Sequence, residues 1–578
     1  MNSSDFLNSK EESEKSGSCT PIFSWSPLPQ RRNLGCIKQE NKDFKSEDKS
    51  ERLYPNTDAT VWLRSCEEEI TKPIIGNVTG IIPNWLNGSL IRNGPGSLKV
   101  GRDEFTHLFD SSALLHRFGI KYGKVEYSCR FVQSEVFKQN WAANRIVKCE
   151  FGTKIVEDPC HSIFKRIAAV FQDSSDNSMI SVYPFGDELY AFGETPQIHK
   201  INPDTLETED KVAVNDYVSI VHHTSHPHVL NDGTIYNLGL SVRPTGLYHS
   251  IVEFQKNENG SGKQMFEEAQ IVASISARWQ LNPSYMHTFG ITENYYILVE
   301  QPLSISVPRI FLSKFNNGPL ADCFRWYHDE YTRISVISRS TNKIFKTYLA
   351  EAFFYLHIIN QYEFENHLVL DICMYNDPAM LDCMYVEAMK TMQTNPDYAK
   401  MFRGRPGRFV LPLNSNSNTD KTKNLVGIKN TRAKAYYMSD GNIFVKPEKL
   451  CDLGCETPRI HYEKYLGKPY KYFYAISSDV DSEIPGTLIK VDVESKTTKT
   501  WGEPNCYPSE PIFVPNPEPK SEDDGVVISA MVWGEEDTNH VGLLVLDGES
   551  FIELGRAEFH TPSPAPKCLH GWFLPSKE

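Results

Sequence analysis

The chain has 578 residues, which is enough to bury a large hydrophobic core, and a closed all-β architecture can hold that many residues in one domain. It carries 60 basic and 74 acidic residues, so its net charge is −14. This balance argues against a nucleic-acid partner, because phosphates require a basic surface. It does not argue against an apolar, lipid-like substrate.

Cysteines and apolar runs bear on the cellular compartment. The 13 cysteines are scattered, and the one close pair, Cys451 and Cys455, has no second pair to complete a zinc site. The N-terminal residues are polar and lack the apolar segment of a secretory signal. No run approaches the roughly 18 apolar residues of a transmembrane helix. We therefore expect a cytoplasmic protein with reduced thiols, which is soluble or bound to a membrane surface.

Composition divides the chain into two parts. Residues 1–52 are rich in Ser, Glu, Lys and Asn, and they contain few apolar side chains. Such a segment cannot bury enough apolar surface to fold, so we predict a disordered tail. Residues 53–578 are predicted to form a single domain.

The sequence of residues 53–578 predicts short strands joined by turns. Alternating apolar residues meet a turn of Asp, Asn, Gly or Ser and then alternate again, which is typical of a β-hairpin. Five such hairpins are predicted, at residues 117–131, 199–212, 335–348, 489–501 and 544–559. Repeated hairpins in one large body favour the blades of a β-propeller, and a β-sandwich is the alternative. A short helix is predicted at residues 385–392.

Four histidines stand in distinctive settings. His226 lies in the sequence His-Pro-His before an Asn-Asp-Gly turn, and His287, His357 and His570 lie far from it in the chain. A neutral imidazole is a common metal ligand, although a single histidine is more often structural. A closed repeat fold can bring one side chain from each of several strands to its axis. The four residues are therefore candidate ligands of one metal ion, and the residue types alone leave iron, copper, zinc and nickel open.

Three glutamates occupy similar settings. Each is followed within two residues by proline inside an apolar stretch, where a buried carboxylate needs a partner. Histidine ligands usually donate their second ring N–H to a carboxylate. These residues are candidate partners for the ligands, and the alternative is that they face solvent: Glu194, Glu456 and Glu510.

At these positions the chain resembles the carotenoid cleavage oxygenases, over residues 53–578. The motifs at His226, His287, His357 and His570 match the family's four ligands in order, and Glu194, Glu456 and Glu510 match its supporting glutamates. The resemblance implies an all-β, seven-bladed β-propeller with a cap of helices and loops over one axial Fe²⁺. It also implies O₂ as co-substrate and a carotenoid or retinoid as the small-molecule substrate.

Further stretches resemble the family members that couple cleavage to isomerisation. They lie at residues 53–67, 176–187, 352–360, 392–406 and 474–481. The resemblance implies cleavage of the central 15,15′ double bond, with one half isomerised to give all-trans and 11-cis retinal-type aldehydes for visual chromophore. Three alternatives remain open: a cleavage dioxygenase without isomerase activity, a retinyl ester isomerohydrolase, and a propeller scaffold without activity.

Other residues are matched to the family individually. Phe151 corresponds to an aromatic residue near the substrate cavity, and Cys160 belongs to a segment near the membrane, where a family proline is replaced by Glu157. The amphipathic segment that includes Phe164 and Phe171 is either a packed helix or a peripheral membrane contact. Four nearby histidines do not correspond to family ligands: His222, His223, His228 and His461.

Overall fold

The computed structural model describes residues 52–148, 151–154, 175–315, 318–414, 423–535 and 537–576. The predicted N-terminal tail, up to residue 51, lies outside the described residues. So do Cys160, Phe164 and Phe171, the predicted membrane contacts.

Seven sheets surround one axis and form the seven blades of a β-propeller, as predicted from the resemblance, and their strand pairs are antiparallel except for one parallel pair in blade 4. The β-sandwich alternative is wrong. The strands of each blade are given in order from the axis outwards. Blade 1 consists of His570–Pro575, Gly88–Ser97, Ser112–Lys121, Lys124–Phe131 and Ile70–Ile75, and blade 2 of Ser181–Phe185, Glu188–Phe192, Gln197–Ile201 and Thr208–Ala213. Blade 3 consists of His222–His223 with His228–Val229, then Ile235–Arg243, Gly246–Phe254 and Gln270–Ser276, and blade 4 of Gly290–Ile291, Tyr295–Glu300, Thr332–Ser338, Lys343–Ala350, Ile443–Lys446 and Lys434–Tyr437.

The remaining blades complete the ring, and two short ribbons lie outside it. Blade 5 consists of Ile358–Phe364, His367–Met374, Arg405–Pro412 and Glu448–Lys449; blade 6 of Glu456–Arg459, Tyr472–Ile476, Leu488–Asp492 and Thr498–Trp501; blade 7 of Cys506–Pro508 with Ile512–Pro515, then Gly525–Trp533, His540–Asp547, Glu553–His560 and Asn77–Gly80. The ribbons pair Lys99–Val100 with Asp103–Glu104, and Leu303–Ile305 with Phe324–Trp326.

The five predicted hairpins are confirmed, and each supplies two neighbouring strands of a blade. The turn between the third and fourth strands of blade 1 shows why they form. Tyr122 and Gly123 both have positive φ, 49° and 75°, which matches the twist of a tight hairpin. The alternating side chains then bury one face of each strand pair against the next blade, as in the cluster that joins Phe118 of blade 1 to Leu543 of blade 7.

Both ends of the chain contribute to closing the ring. The last strand, His570–Pro575, pairs with Gly88–Ser97 inside blade 1. The early strand Asn77–Gly80 pairs with Glu553–His560 and forms the outer edge of blade 7. Blades 7 and 1 are therefore tied together by hydrogen bonds from opposite ends of the sequence.

Short helices lie between the strands and include the predicted one at residues 385–392, found at Val386–Lys390. The α-helices are Thr60–Leu63, Glu135–Ala143, Gly262–Glu267, Val307–Phe315, Ala379–Cys383, Val386–Lys390, Tyr398–Met401 and Tyr462–Tyr465, and the 3₁₀ turns are Leu108–Asp110, Val214–Asp216, Leu320–Cys323 and Met392–Thr394. The group between residues 379 and 402 forms the predicted cap, since it lines a cavity above the axis. None of the described helices combines the length and apolar character needed to cross a bilayer.

Candidate metal centre

Four histidines from four blades meet on the propeller axis. His226 lies between the two short inner strands of blade 3, His287 and His357 precede the inner strands of blades 4 and 5, and His570 begins the inner strand of blade 1. One ring nitrogen of each lies within 4.8 Å of one nitrogen of each of the others. All four side chains are buried. The fold therefore brings together the four histidines that the sequence singled out.

The other three blades each supply a glutamate, and each glutamate contacts one of these rings. Nδ1 of His287 lies 2.6 Å from Glu194, Nδ1 of His357 lies 2.5 Å from Glu456, and Nδ1 of His570 lies 2.8 Å from Glu510. His226 differs, because its Nδ1 lies 3.3 Å from the hydroxyl of Tyr183. The predicted glutamates thus lie directly behind three of the four imidazoles.

The charge of the glutamates determines which ring nitrogen carries a proton. Burial would raise the pKa of Glu510, but Arg459, His570 and Arg92 together keep it well below its usual range. The pKa values of Glu194 and Glu456 are also lowered, as hydrogen bonds and nearby histidines outweigh burial. An ionised carboxylate only accepts hydrogen bonds, so the Nδ1 atoms of the three rings donate. The Nε2 atoms of these rings then present lone pairs towards the axis.

The inward nitrogens fit a bound cation. Nε2 of His226 lies 2.9 Å from Nε2 of His287. Burial and the other three imidazoles lower the pKa of His226, and burial lowers the pKa values of His287 and, to about 4, His570. When Nδ1 of His226 donates to Tyr183, both of these Nε2 atoms are acceptors, and a cation bound by both removes their repulsion. Nε2 of His357 is buried and has no hydrogen-bond partner. A buried lone pair without a donor is unfavourable, and a bound cation would stabilise it.

The local charge also suits a cation. Glu510 lies between two guanidinium groups, those of the buried Arg92 and the partly buried Arg459, each 2.9 Å from one of its oxygens. No lysine or arginine of the described chain forms an ion pair with Glu194 or Glu456, which contact histidines instead. The three carboxylates and two guanidinium groups leave the site with one net negative charge, which favours a cation at the axis.

Two tyrosines hold the glutamates in place. The hydroxyl of Tyr285 donates a 2.7 Å hydrogen bond to Glu194, and that of Tyr375 donates one of 3.0 Å to Glu456. Backbone geometry helps, because Thr457 adopts a positive φ of 47° and donates its N–H to Glu456 at 2.8 Å. A β-branched residue rarely adopts this conformation, and such strain is concentrated at functional sites.

A cavity of about 300 Å³ lies on the cap side of the cluster, and His287, His357 and His570 reach its wall. The wall is mainly apolar and aromatic, as in sites that take up apolar small molecules. Phe151, which the resemblance assigned to the cavity, lies in this wall. Its ring packs against those of His107, at 4.6 Å between centroids, and Phe324, at 5.9 Å.

The other histidines near the motifs do not face the axis. His223 is buried beside the carbonyl of Thr224, and His228 lies between Tyr462 and the carbonyl of Phe289. His222 is partly exposed and lies 3.9 Å from Glu194. His461 packs its ring on Phe513. The structure therefore separates the four ligand candidates from their sequence neighbours.

Sequence reasoning missed five residues of the site: Tyr183, Tyr285, Tyr375, Arg92 and Arg459. Tyr285 could have been found, because it is two residues before His287 and residues at that spacing in an extended segment share a face. Arg459 follows Glu456 by three residues but contacts Glu510 instead, at 2.9 Å. That pairing depends on the approach of two blades and leaves no local signal in the sequence.

Comparison with known proteins agrees with the fold and shows the family. The family model described as retinal pigment epithelial membrane protein (RPE65) matches residues 63–575. A carotenoid isomerooxygenase of Galleria mellonella is 55% identical over 532 residues, which cover 91% of this chain and 98% of that protein. A β,β-carotene 15,15′-dioxygenase of Gallus gallus is 37% identical over 528 residues, covering 90% and 98%. The crystal structure of cobalt-substituted Synechocystis ACO has a TM-score of 0.69 at 21% identity, covers 89% of this chain and 98% of that one, and shares the fold.

Proposed function

This chain belongs to the retinal pigment epithelial membrane protein family, and we propose that it is an iron- and oxygen-dependent carotenoid isomerooxygenase. It cleaves a carotenoid at the central double bond and isomerises one half, which gives one all-trans and one 11-cis aldehyde. The observation that carries the proposal is the cluster of four inward imidazole nitrogens at the wall of an apolar cavity. The activities for which the two relatives are named support the substrate class and the position of the cleaved bond.

In this proposal His226, His287, His357 and His570 hold one Fe²⁺. When bound, the ion supplies the activation of O₂ that no side chain of the site can provide. Glu194, Glu456 and Glu510 fix three rings as Nδ1–H tautomers, so that each Nε2 remains a ligand. Tyr183 does the same for His226 by accepting from its Nδ1.

The cavity wall binds and orients the polyene. Phe151, Phe324 and Leu356 lie in the wall beside the ligand residues, and apolar contacts there exclude water from the reacting bond. Because the wall lies on one side of the histidine cluster, the position of the polyene along it decides which double bond faces the axis. No side chain of the site has to act as a general base.

The enzyme takes its substrate from a membrane surface, and one helix offers the contact. Helix Val307–Phe315 presents Phe311 and Leu312, which are 48% and 62% exposed, and the neighbouring Leu281 is 62% exposed. Its flanking residues Ile305 and Leu320 line the cavity. An exposed apolar patch next to an apolar cavity suits contact with a lipid surface that holds the carotenoid.

The decisive experiment is a defined assay. Purified protein is loaded anaerobically with Fe²⁺ and mixed with O₂ and a carotenoid in detergent, and the retinoid isomers are resolved by chromatography. Paired all-trans and 11-cis aldehydes are expected. If all-trans aldehyde is the sole product, the proposed cleavage stands and the proposed isomerase activity is excluded. The protein would then be a cleavage dioxygenase, like the relative of that name. Hydrolysis of a retinyl ester without carotenoid cleavage would replace the proposal with an isomerohydrolase.

Iron content tests the alternative of an inactive scaffold. A protein that binds one iron per chain with high affinity and is inactive on every carotenoid would retain the site and lose the proposed reaction. If the protein binds no iron even after loading, the four histidines have a structural role and do not bind iron.

A further inference from the structure

A buried lysine lies close to the metal centre and plays no part in the reaction proposed above. Lys567 precedes the ligand candidate His570 by three residues, is 5% exposed and lines the same apolar cavity. Its Nζ lies 5.3 Å from the ring centroid of Trp62, which is also part of the cavity wall. Lys567 therefore forms part of the wall around the space that apolar molecules would occupy.

Lys567 lacks the partner that a buried ammonium group requires. Its Nζ donates to the backbone carbonyl of Pro508 and lies 3.5 Å from that of Tyr507, and within the described residues it forms no ion pair with a carboxylate. The titratable groups that face it are Arg92, Cys506 and Cys568. Two carbonyls provide partial solvation only, so the neutral amine is favoured.

The chemistry of a neutral amine in an apolar cavity is nucleophilic. Burial, assisted by the charge of Arg92, lowers the pKa of Lys567 to about 7. A desolvated lysine of this kind attacks carbonyl carbons and forms imines. The aldehydes that the proposed reaction releases are suitable electrophiles, and they are produced in the cavity that Lys567 lines.

We propose that Lys567 forms a reversible imine with a polyene aldehyde bound in the cavity. This inference rests on the proposed function, because the proposed cleavage is the reaction that produces the aldehyde. The lone pair of Nζ attacks the aldehyde carbon, and the resulting carbinolamine loses water. The C=O bond is replaced by C=N, and both amine protons leave with the aldehyde oxygen as water. No oxidant or reductant is needed, and hydrolysis of the imine returns the aldehyde.

The imine forms after cleavage. The aldehyde carbon is produced at the histidine cluster and then has to reach Nζ of Lys567, which lines the same cavity. The bond would hold one aldehyde in the cavity until water hydrolyses it. Release of that half would then be slower than release of the other half.

Another lysine of the chain is a natural control. Lys490 is 3% exposed, and burial lowers its pKa as well. Its Nζ donates a 2.5 Å hydrogen bond to Asp523, and it is absent from the cavity wall. Lys490 therefore shares the burial of Lys567 but has a carboxylate partner and no access to the cavity.

The test supplies all-trans-retinal directly to the iron-loaded protein under argon, with cyanoborohydride to reduce any imine, and locates the modified lysines by peptide mass spectrometry. Labelling of Lys567 at least about tenfold faster than that of Lys490 and the exposed lysines is expected, because a neutral amine reacts and an ammonium does not. A carotenoid hydrocarbon added under argon should protect Lys567. Lys567→Met should lose the label while keeping its iron content.

Three results would overturn the proposal. They are the absence of label on Lys567, equal labelling of Lys490, exposed lysines and Lys567, and labelling of Lys567 that the carotenoid does not reduce. Because retinal is supplied, failure of carotenoid cleavage does not affect this outcome. An active enzyme with an unlabelled Lys567 would remove the imine and leave the proposed function intact.

Discussion

Glu510 of blade 7 and His570 of blade 1 are joined by a hydrogen bond of 2.8 Å. The bond crosses the junction at which the ring of blades closes. The second oxygen of Glu510 accepts from the backbone N–H of Gly571 at 3.0 Å and from Arg92 at 2.9 Å. One carboxylate therefore orients a ligand candidate and also holds the last strand in the ring.

Glu510→Gln should affect both metal binding and stability. Metal affinity is expected to fall roughly 10–100-fold, because the amide no longer fixes the tautomer of His570. The apparent Tm should also fall, because Arg92 and Arg459 keep buried charges without a counter-charge. Glu456→Gln is the matched variant, since Glu456 contacts Tyr375 and a backbone N–H and no arginine. A comparable loss of Tm in both variants would contradict this account.

The two histidines on either side of Pro227 should separate metal binding from packing. His226→Gln removes one of the four inward nitrogens and should reduce bound iron to well below one per chain, with loss of turnover. His228→Gln alters a ring that bonds to Tyr462 and to a backbone carbonyl, so iron stoichiometry should be retained. Metal analysis of folded, size-fractionated protein makes the comparison. Full iron content and activity in His226→Gln would remove that residue from the ligand set.

Phe151→Ala should weaken binding of the polyene more than it weakens the chemistry. The ring packs between His107 and Phe324 in the cavity wall, and its removal loses an aromatic contact of about 1 kcal/mol and loosens the wall. KM should rise by roughly fivefold, and a smaller change in kcat is expected. Phe345→Ala, at an exposed site on blade 4, is the control. Unchanged kinetics in both variants would place Phe151 outside the substrate path.

Charges on helix Val307–Phe315 should detach the protein from lipid. Phe311→Glu with Leu312→Glu places two carboxylates on the exposed apolar patch, and the fraction bound to phosphatidylcholine vesicles should fall in a flotation assay. Ile344→Glu with Phe345→Glu alters an equally exposed apolar pair on blade 4 and should leave binding unchanged. Activity on detergent-solubilised carotenoid should be retained in both double variants. Equal vesicle binding by all three proteins would exclude this helix as the contact.

The stability of the protein should depend on pH through Lys567. Its pKa in the folded protein is lowered to about 7 by burial, whereas an unfolded lysine has a pKa of about 10.4. Between these values the unfolded chain binds more protons, so the free energy of unfolding rises with pH across this window. Lys567→Met lacks this dependence. It should melt at a higher temperature than the wild type near pH 6, and the difference should shrink towards pH 10. A constant difference would show that the pKa of Lys567 is not lowered in the folded protein.

Local patterns in the sequence predict much of the fold. The hairpins at residues 335–348 and 544–559 alternate apolar and polar side chains around turn residues, and both appear in the structure. The number of blades could not be counted in this way. The strands Lys434–Tyr437 and Ile443–Lys446 lie in the sequence between the third and fourth strands of blade 5 and join the outer edge of blade 4, which hides any regular spacing.

The site was predictable to the extent that its residues lie in distinctive local settings. The four histidines and three glutamates could be singled out because each stands next to prolines, turns or apolar runs. Tyr183 and Arg92 could not, because an ordinary strand residue acquires its role only when two blades approach each other. Lys567 was equally hidden, since its burial depends on the packing of the segment around Trp62.

The pairing of His570–Pro575 with Gly88–Ser97 has a consequence for biosynthesis. A nascent chain can fold blades 2 to 6 while it is still attached to the ribosome, but it cannot yet present the imidazole of His570. The complete set of four nitrogens exists only after the final strand has left the exit tunnel and inserted beside the first. Binding of a metal ion by all four histidines therefore has to follow the insertion of this strand, and a chain that stops before His570 lacks one of the four nitrogens.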